Sequence, residues 1–455
     1  ALALQLIRRK KMSPVVGLIL FIVFFALMVI LNNKWGINIG VLGILFAFIL
    51  AGWFGGVAPA TIVGYFPIST IATLFCASLF FCYMGQTGIF NKVVQRILHS
   101  THGNTKVIAP AIFLASAILA AIGGADPAPL IMSPIAFAFV TFAGFDPLMA
   151  VCSGYFGAGF AGVVFWGGGG SAFRTLAEAQ IGEEASYIFS YESLLFLFVA
   201  YVICFLIFYF ARKAWKMDPE KVKMQVSKTP EPFDEKQRKA LAVLICVIIL
   251  IIVPTLIQTL IHANPVTAWM STHLALKQLC LLGVAALHIL KVFDTNDAKE
   301  IFKNKIPWGS FVAIGGCCMI VQSAAALGIT DMIANALSNS VAPWFIPAVL
   351  VIASALLSFV SNAFAIIPLF APMSATLAAA TGLHPATICS CILCGCVATG
   401  LSPVSMGGSL WQIGASEEQR EKIFKPQWLS AVVVMVIMTV LALIGGFNVV
   451  DKIFY

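Results

Sequence analysis

Residues 115–171 read ASAILAAIGG ADPAPLIMSP IAFAFVTFAG FDPLMAVCSG YFGAGFAGVV FWGGGGS, and residues 353–409 repeat this pattern of glycine, proline and small residues without a gap. Ser171, for example, corresponds to Ser409, 238 positions later. Glycine and proline interrupt helices, and an interrupted helix leaves backbone groups that hydrocarbon cannot satisfy. Such segments at corresponding places in the two halves of a membrane chain indicate a transporter binding site.

The composition predicts an integral membrane protein. The chain is 60% hydrophobic and 10% charged, whereas soluble proteins carry about 25% charged residues. Its apolar runs are about 16–24 residues long and do not alternate, which indicates helices. We therefore predict an all-α fold with roughly 10–11 transmembrane helices and two re-entrant hairpins.

The charged and cysteine residues exclude other classes of protein. The net charge of +8 comes from basic residues in loops, which suits membrane orientation rather than nucleic-acid binding. Most of the 12 cysteines lie in apolar segments, where cysteine behaves as a small hydrophobic residue. We expect lipid but no nucleic acid as a partner, and a multi-pass location in the plasma membrane (the inner membrane of a bacterium).

The repeat divides the chain into two halves, each with four spans, one hairpin and one broken span. The first half occupies residues 12–211, with spans at 15–31, 37–53, 67–84 and 192–210, a hairpin at 106–142 and a broken span at 146–173. The second occupies residues 240–448, with spans at 240–260, 274–290, 306–323 and 428–444, a hairpin at 344–380 and a broken span at 384–411. The linker, residues 212–239, carries nine Lys or Arg, so we expect it on the cytoplasmic side.

The two halves are predicted to have inverted topologies, because each contains an odd number of crossings. Residues 54–66 contain no Lys or Arg, whereas the corresponding residues 291–305 contain four. The amphipathic residues 85–102 are basic, whereas their counterpart is not. Since basic residues accumulate on the cytoplasmic side, corresponding loops lie on opposite sides. The basic residues 8–11 conflict with this topology, which places them outside.

Two hairpin tips and two breaks, predicted at residues 166–171 and 401–409, form the candidate site. Half-helix N-termini offer partial positive charge and free N–H groups to carboxylates, and unwound carbonyls suit Na⁺. The candidate substrate-binding residues are Gly124, Ala125, Asp126, Gly169, Gly170, Ser171, Ser361, Asn362, Ala363, Ser402, Ser405 and Ser409. The candidate Na⁺ ligands are Ser361, Asn362 and Gly400 in one site and Gly123, Gly124 and Gly162 in another.

Two charged residues in these segments have competing interpretations. Asp126 lies at membrane depth, where it either binds a cation, carries a proton or caps the second hairpin helix. Arg174 follows the first break and either pairs with an anionic substrate or extends its side chain to the membrane interface.

Two further features indicate structure rather than ligand binding. Four cysteines of the second broken span are spread around a helix, so packing is favoured over a metal site: Cys389, Cys391, Cys394 and Cys396. His384 corresponds to Asp146 in the repeat. Asp146 precedes a proline, which predicts a helix-capping role for both residues.

The sequence resembles the ion transporter superfamily of anion carriers. The resemblance rests on the paired hairpins, the tip Ser361-Asn362 and the segment Ile306-Pro307-Trp308 before a Gly-rich span. Within that superfamily the chain is similar to the dicarboxylate carrier family that includes malonate carriers, related to divalent anion–sodium symporters. The segments that carry this likeness are Asn38-Ile39-Gly40-Val41-Leu42, Phe66-Pro67, Pro134-Ile135-Ala136 and residues 154–162.

The resemblance implies a homodimer in which a static scaffold supports a transport domain that moves like an elevator. It also implies that each hairpin tip carries Ser-Asn-Thr, which binds Na⁺ and the substrate carboxylates. The second tip, Ser361-Asn362-Ala363, keeps two of these three residues. The first tip, Gly123-Gly124-Ala125, keeps none, so the first Na⁺ site departs from the family pattern.

We predict a secondary active transporter, not an enzyme, for a small organic anion such as malonate or a C4-dicarboxylate. Coupling to Na⁺ or H⁺, alternating access and the absence of an organic cofactor are part of this prediction. The alternatives within transport are citrate, sulfate or a similar anion, and anion exchange. A membrane enzyme acting on lipid-linked substrates would need acid, base or metal ligands that the six scattered histidines do not supply. A channel would need a continuous polar stripe.

Overall fold

The computed structural model describes residues 13–123, 127–227, 231–260, 265–306, 308–359 and 363–455. The regular secondary structure of these residues is helical, and no strand occurs among them. The predicted all-α fold class is confirmed.

The first half of the described chain contains ten α-helices, and an eleventh lies in the predicted linker. They are α1 (Pro14–Trp35), α2 (Ile39–Ala47), α3 (Pro59–Gly64), α4 (Ile68–Gln86), α5 (Ile89–His99), α6 (Thr105–Gly123), α7 (Pro127–Ala143), α8 (Pro147–Ala161), α9 (Gly168–Ile181), α10 (Glu183–Ala211) and α11 (Pro219–Val226). A π-helical segment, Phe48–Phe54, continues α2.

The second half of the described chain contains thirteen α-helices. Its helices are α12 (Glu235–Leu260), α13 (Pro265–His273), α14 (Leu276–Ile289), α15 (Thr295–Glu300), α16 (Trp308–Ala326), α17 (Ile329–Ser340), α18 (Ile346–Ser358), α19 (Ala363–Phe370), α20 (Ser374–Thr381), α21 (Pro385–Thr399), α22 (Met406–Leu410), α23 (Glu417–Leu443) and α24 (Gly446–Phe454). A π-helical segment, Ile301–Lys305, follows α15. Short 3₁₀ turns, Pro343–Phe345 and Ala371–Met373, precede α18 and α20.

Corresponding helices start in the same way in the two halves. The Asp146 carboxylate accepts a hydrogen bond from the N–H of Met149 at the start of α8. The His384 ring accepts one from the N–H of Ala386 at the start of α21. Both helices place proline in their first turn, where its missing N–H has no helical partner to lose. The predicted capping roles of Asp146 and His384 are confirmed.

Two bent helix pairs also correspond. α4 and α5 meet at 63°, and α16 and α17 meet at 71°. A glycine with positive φ precedes the second helix of each pair, Gly88 (φ 72°) and Gly328 (φ 73°). Glycine adopts this conformation without the steric penalty that other residues incur. The basic amphipathic segment predicted at residues 85–102 contains α5.

The lengths of the described helices give fewer full-length spans than the 10–11 predicted. By length and composition, four helices can cross a membrane: α1, α6, α10 and α23. The two bent pairs would raise this number to six. Several other apolar helices have only 10–17 residues, about 15–25 Å at the usual helical rise. Two of the predicted spans are divided between shorter helices, because irregular segments follow Ala161 and Thr399.

The outer surface carries large apolar side chains. Ile289 is 79% exposed, Ile68 72% and Trp53 68%. Soluble monomers rarely expose contiguous apolar patches of large area, and hydrocarbon is the environment that suits such a surface.

The two halves pack against each other in a reciprocal way. α2 of the first half packs on α16 of the second, and α14 of the second packs on α4 of the first. At the α2–α16 contact the backbones approach so closely that a Cβ on Gly40 would overlap the Val312 carbonyl, and one on Gly316 would overlap the Gly40 carbonyl. Small residues allow this close helix packing in membranes.

Candidate functional site

The first break lies earlier than predicted. α8 ends at Ala161, residues 162–167 are irregular, and α9 begins at Gly168. The prediction placed the break at residues 166–171, whose glycines instead form the N-cap and first turn of α9. A Cβ on Gly170 would overlap the backbone carbonyl of Val164, so the glycine run lets the returning helix pack directly on the irregular segment. The sequence shows the glycines but not this contact.

The second break has the same construction. α21 ends at Thr399, residues 400–405 are irregular, and α22 begins at Met406. A Cβ on Gly408 would overlap the Ser402 carbonyl, as at the corresponding glycine of the first break. In both breaks, therefore, one glycine of the second helix packs on an unwound carbonyl that precedes it.

The two breaks differ in how the second helix is capped. Ser405 precedes α22, and its hydroxyl accepts a hydrogen bond from the N–H of Gly408 at 3.1 Å. Gly167 holds the corresponding place before α9 and offers no side-chain cap. The backbone angles are nearly the same, φ −80° and ψ 156° at Ser405 and φ −80° and ψ 158° at Gly167. Since α9 has no capping side chain, its first N–H groups point towards the break without this partner.

Side chains from other helices satisfy the carbonyls of the second break. Gln427 of α23 is fully buried, and its Nε2 donates to the carbonyls of Leu401 at 2.8 Å and Gly408 at 3.0 Å. The hydroxyls of Tyr155 and Tyr201 both donate to the Val397 carbonyl, at 2.6 and 2.7 Å. Carbonyls released by a helix break need such partners inside a membrane.

A cleft opens beside the first break. Ser171 and Arg174 of α9 line it, together with Thr73 of α4, Tyr187 of α10 and apolar residues of α12 and α14. Arg174 forms an ion pair with Glu178 at 3.0 Å. The cleft thus lies between α9 of the broken span and the helices α4, α10, α12 and α14.

Arg174 is held by several partners inside the protein. Besides its ion pair, the guanidinium donates to the Ser186 hydroxyl at 2.9 Å and lies 4.4 Å from the centre of the Tyr187 ring. Its side chain is 17% exposed. These groups of the protein therefore hold the guanidinium of Arg174 beside the cleft.

Several of the predicted site residues lie at the two breaks. Gly169 lies in the first turn of α9, where a Cβ would be 3.4 Å from the Gly162 carbonyl, so these two residues meet across the first break. Gly400 accepts a hydrogen bond from the Ser405 hydroxyl at 2.7 Å. Ser402 is fully buried and Ser409 is exposed.

The hairpin tips are described only at their edges. Gly123 ends α6 and Ala363 begins α19. The other predicted tip residues, Gly124, Ala125, Asp126, Ser361 and Asn362, lie outside the described residues. The hairpins themselves reach the opposite half, because α7 contacts α22 and α19 contacts α9. Ser133 of α7, for example, donates to the Trp411 carbonyl at 2.7 Å.

The cysteines of α21 are all buried. In the described part of the chain, no group of three or more His, Cys, Asp and Glu side chains has an arrangement that could hold a metal ion. Sequence reasoning missed the buried polar side chains of Gln427, Tyr155 and Tyr201, which donate to backbone carbonyls at and beside the second break. The sequence does contain a signal for these three residues, because each is a polar residue within or beside an apolar run.

An all-helical apolar chain with two broken helices and two hairpins that reach across its halves has the architecture of a membrane transporter. A sequence model of the citrate transporter family (CitMHS) matches residues 22–393. The chain belongs to this family, and it is a multi-pass membrane protein and a secondary anion transporter, not an enzyme. A comparison with curated proteins gave no match.

Proposed function

We propose that the protein carries a small dicarboxylate, such as malonate or a C4-dicarboxylate, and binds one carboxylate at the N-terminus of α9. The observation that supports this most strongly is the absence of a side-chain cap at Gly167, where the other break has Ser405. A helix N-terminus carries about half a positive charge, and its unpaired N–H groups suit a carboxylate. α22 has only five residues and is capped by its own serine, so α9 is the better site.

The charge around the cleft favours an anion of low charge. Arg174 is the cation that lines the described cleft, and Glu178 already balances it. The dipole of α9 and this paired arginine would stabilise one or two carboxylates better than three. The family description, citrate transporter, supports citrate as the second candidate.

We also propose that the halves form inverted repeats and that transport occurs by an elevator motion. α4 and α16 correspond in the repeat, yet their partners differ: α4 packs on α9, whereas α16 packs on α19. In a protein with inverted repeats, such unequal contacts arise when the moving part lies towards one side of the membrane. The opposite state would exchange them, with α16 against α22.

The remaining proposals concern coupling and assembly. Transport is coupled to Na⁺ or H⁺. One Na⁺ site is formed by Gly400 and the second tip, and a second, less complete Na⁺ site is formed by Gly123, Gly124 and Gly162. The protein functions as a homodimer in the plasma membrane. These proposals extend the family resemblance to this chain, and mass measurement of the purified protein in detergent tests the dimer.

Uptake by proteoliposomes tests the proposed substrate. We expect purified protein to accumulate labelled malonate or succinate when a Na⁺ or proton gradient is imposed, and excess unlabelled dicarboxylate to compete. Liposomes without protein are the control, and citrate and sulfate complete the panel. Accumulation of sulfate alone, or no carboxylate uptake under either gradient, would contradict the proposal. Uptake of citrate but not of dicarboxylates would establish the second candidate.

A further inference from the structure

Glu192 is a fully buried carboxyl in α10 that none of the proposed steps uses. Its Oε1 lies 2.8 Å from the Thr387 hydroxyl and its Oε2 lies 3.0 Å from the Ser390 hydroxyl, both on α21. Asp451 of α24 approaches the same threonine, with its Oδ1 2.7 Å from the hydroxyl oxygen. No ion pair joins Glu192 to any of the described residues. Three helices therefore meet at two carboxyls and one shared hydroxyl.

The number of hydrogens at this site shows whether one of the two carboxyls carries a proton. A threonine hydroxyl has one hydrogen to donate, yet Thr387 lies within hydrogen-bond distance of both carboxyl groups. The Oδ1 of Asp451 also accepts from the backbone N–H of His384 at 2.9 Å. If both carboxyls were ionised, one short contact to Thr387 would join two lone pairs. A proton on one carboxyl supplies the missing hydrogen, because that carboxyl then donates to the hydroxyl oxygen.

We propose that Glu192, Thr387 and Asp451 form a buried proton-binding site that fastens the C-terminal helix α24 to α10 and the broken span. One proton is held by the two carboxyls, and it leaves to water from the side of Asp451, which is only partly buried. After its release two carboxylates face each other with one hydroxyl hydrogen between them. Repulsion and the cost of a buried unpaired charge then favour separation of α24.

Among the described residues, no basic side chain acts on Glu192. The titratable neighbours of Glu192 are Cys389, Cys391 and Cys394 on α21, Asp451 on α24 and Tyr455, which follows α24. His384, whose ring stacks on Tyr455 at 3.8 Å, faces Asp451. In the described chain α8, α9 and α23 also pack on α10, and Asp451 is the charged group that acts on Glu192. The site therefore has a proton as its natural counterion.

Hydrogen exchange of residues 446–454 in the purified transporter, measured from pH 5 to pH 9, tests this site. After correction for intrinsic base catalysis, we expect exchange in α24 to rise at least about tenfold as the proton is lost. Glu192→Gln should remove this rise and keep α24 docked, because the amide donates a hydrogen to Thr387 as the protonated acid does. Glu418→Gln, at an exposed ion pair of α23, is the matched control and should retain the rise.

Two results would overturn the proposal. The first is an equal rise in Glu192→Gln and in the unmodified protein, and the second is no rise in the unmodified protein. Asp451→Asn provides a second variant if Glu192→Gln fails to fold, and it should also remove the rise because a single carboxyl no longer requires the shared proton. The readout does not depend on which anion is carried, so it can succeed or fail independently of the uptake experiment.

Discussion

Gly170→Ala is expected to abolish uptake and to lower the melting temperature of the purified protein sharply. The added Cβ would overlap the Val164 carbonyl, and a backbone atom cannot move aside as a flexible side chain can. Overpacking a core costs about 1–3 kcal/mol, and a direct overlap with backbone places this variant at or above about 3 kcal/mol. Gly408→Ala should have the same effect, because its Cβ would overlap the Ser402 carbonyl.

Gly169→Ala is the matched control for the stability measurement. It adds the same methyl group one residue earlier, where the nearest atom, the Gly162 carbonyl oxygen, is 3.4 Å away. This is an ordinary contact, so the melting temperature in detergent should stay within a few degrees of the parent, a change of about 0.5 kcal/mol. Equal melting temperatures for Gly169→Ala and Gly170→Ala would show that the glycine packing at the break is described wrongly.

A disulfide between Ala313→Cys and Ser409→Cys is expected to form during turnover and to stop transport. In this structure Thr73 of α4 and Ser171 of α9 line one cleft. Ser409 is the counterpart of Ser171, and Ala313 is the counterpart of Thr73, because each lies 15 residues before the corresponding glycine, Gly328 or Gly88. The proposed elevator motion would bring Ala313 and Ser409 together. A disulfide needs Cα atoms about 4.4–6.8 Å apart, so it reports close approach, and reduction should restore uptake.

The matched control pair is Thr73→Cys with Ser171→Cys, which should trap the state seen here. Both pairs need a background in which the exposed Cys246 and half-exposed Cys82 are replaced, since the other ten cysteines are buried. If the control pair forms a disulfide and the Ala313–Ser409 pair never does under transport conditions, the exchange of contacts between the halves does not occur.

The sequence was sufficient for the features that local chemistry determines. The N-caps at Asp146 and His384 were predicted from a polar residue before a proline, and such signals act within one helical turn. Both breaks were recognised from their glycines, and the first was placed about one turn too late. A glycine run was interpreted as the gap, whereas the packing of Gly170 on Val164 makes it the start of the next helix.

Buried polar residues near the ends of apolar runs were harder to assign. The prediction began one span at Glu192 and another just after Gln427, because apolar runs begin there. The helices in fact begin at Glu183 and Glu417, so both polar side chains lie inside the protein. Their partners, such as Thr387 and Leu401, are far away in sequence. Only tertiary packing makes their burial favourable, and periodicity within one segment cannot reveal it.

The direct test of the proposed carboxylate site is to give α9 the cap that α22 has. Gly167→Ser places a hydroxyl where its backbone angles match those of Ser405, and the nearest atom to the new Cβ is a flexible Val164 methyl group at 3.3 Å. The hydroxyl should accept from the N–H of Gly170 and compete with the substrate carboxylate. Gly167→Ala adds the Cβ without the hydroxyl and is the matched reference.

The measurement is the dissociation constant for malonate and for citrate, determined with both purified variants. We expect Gly167→Ser to bind its anion at least about tenfold more weakly than Gly167→Ala, a difference of about 1.4 kcal/mol, with equal or slightly higher thermal stability. Equal affinities for the two variants would contradict the proposal that the N-terminus of α9 binds the transported anion.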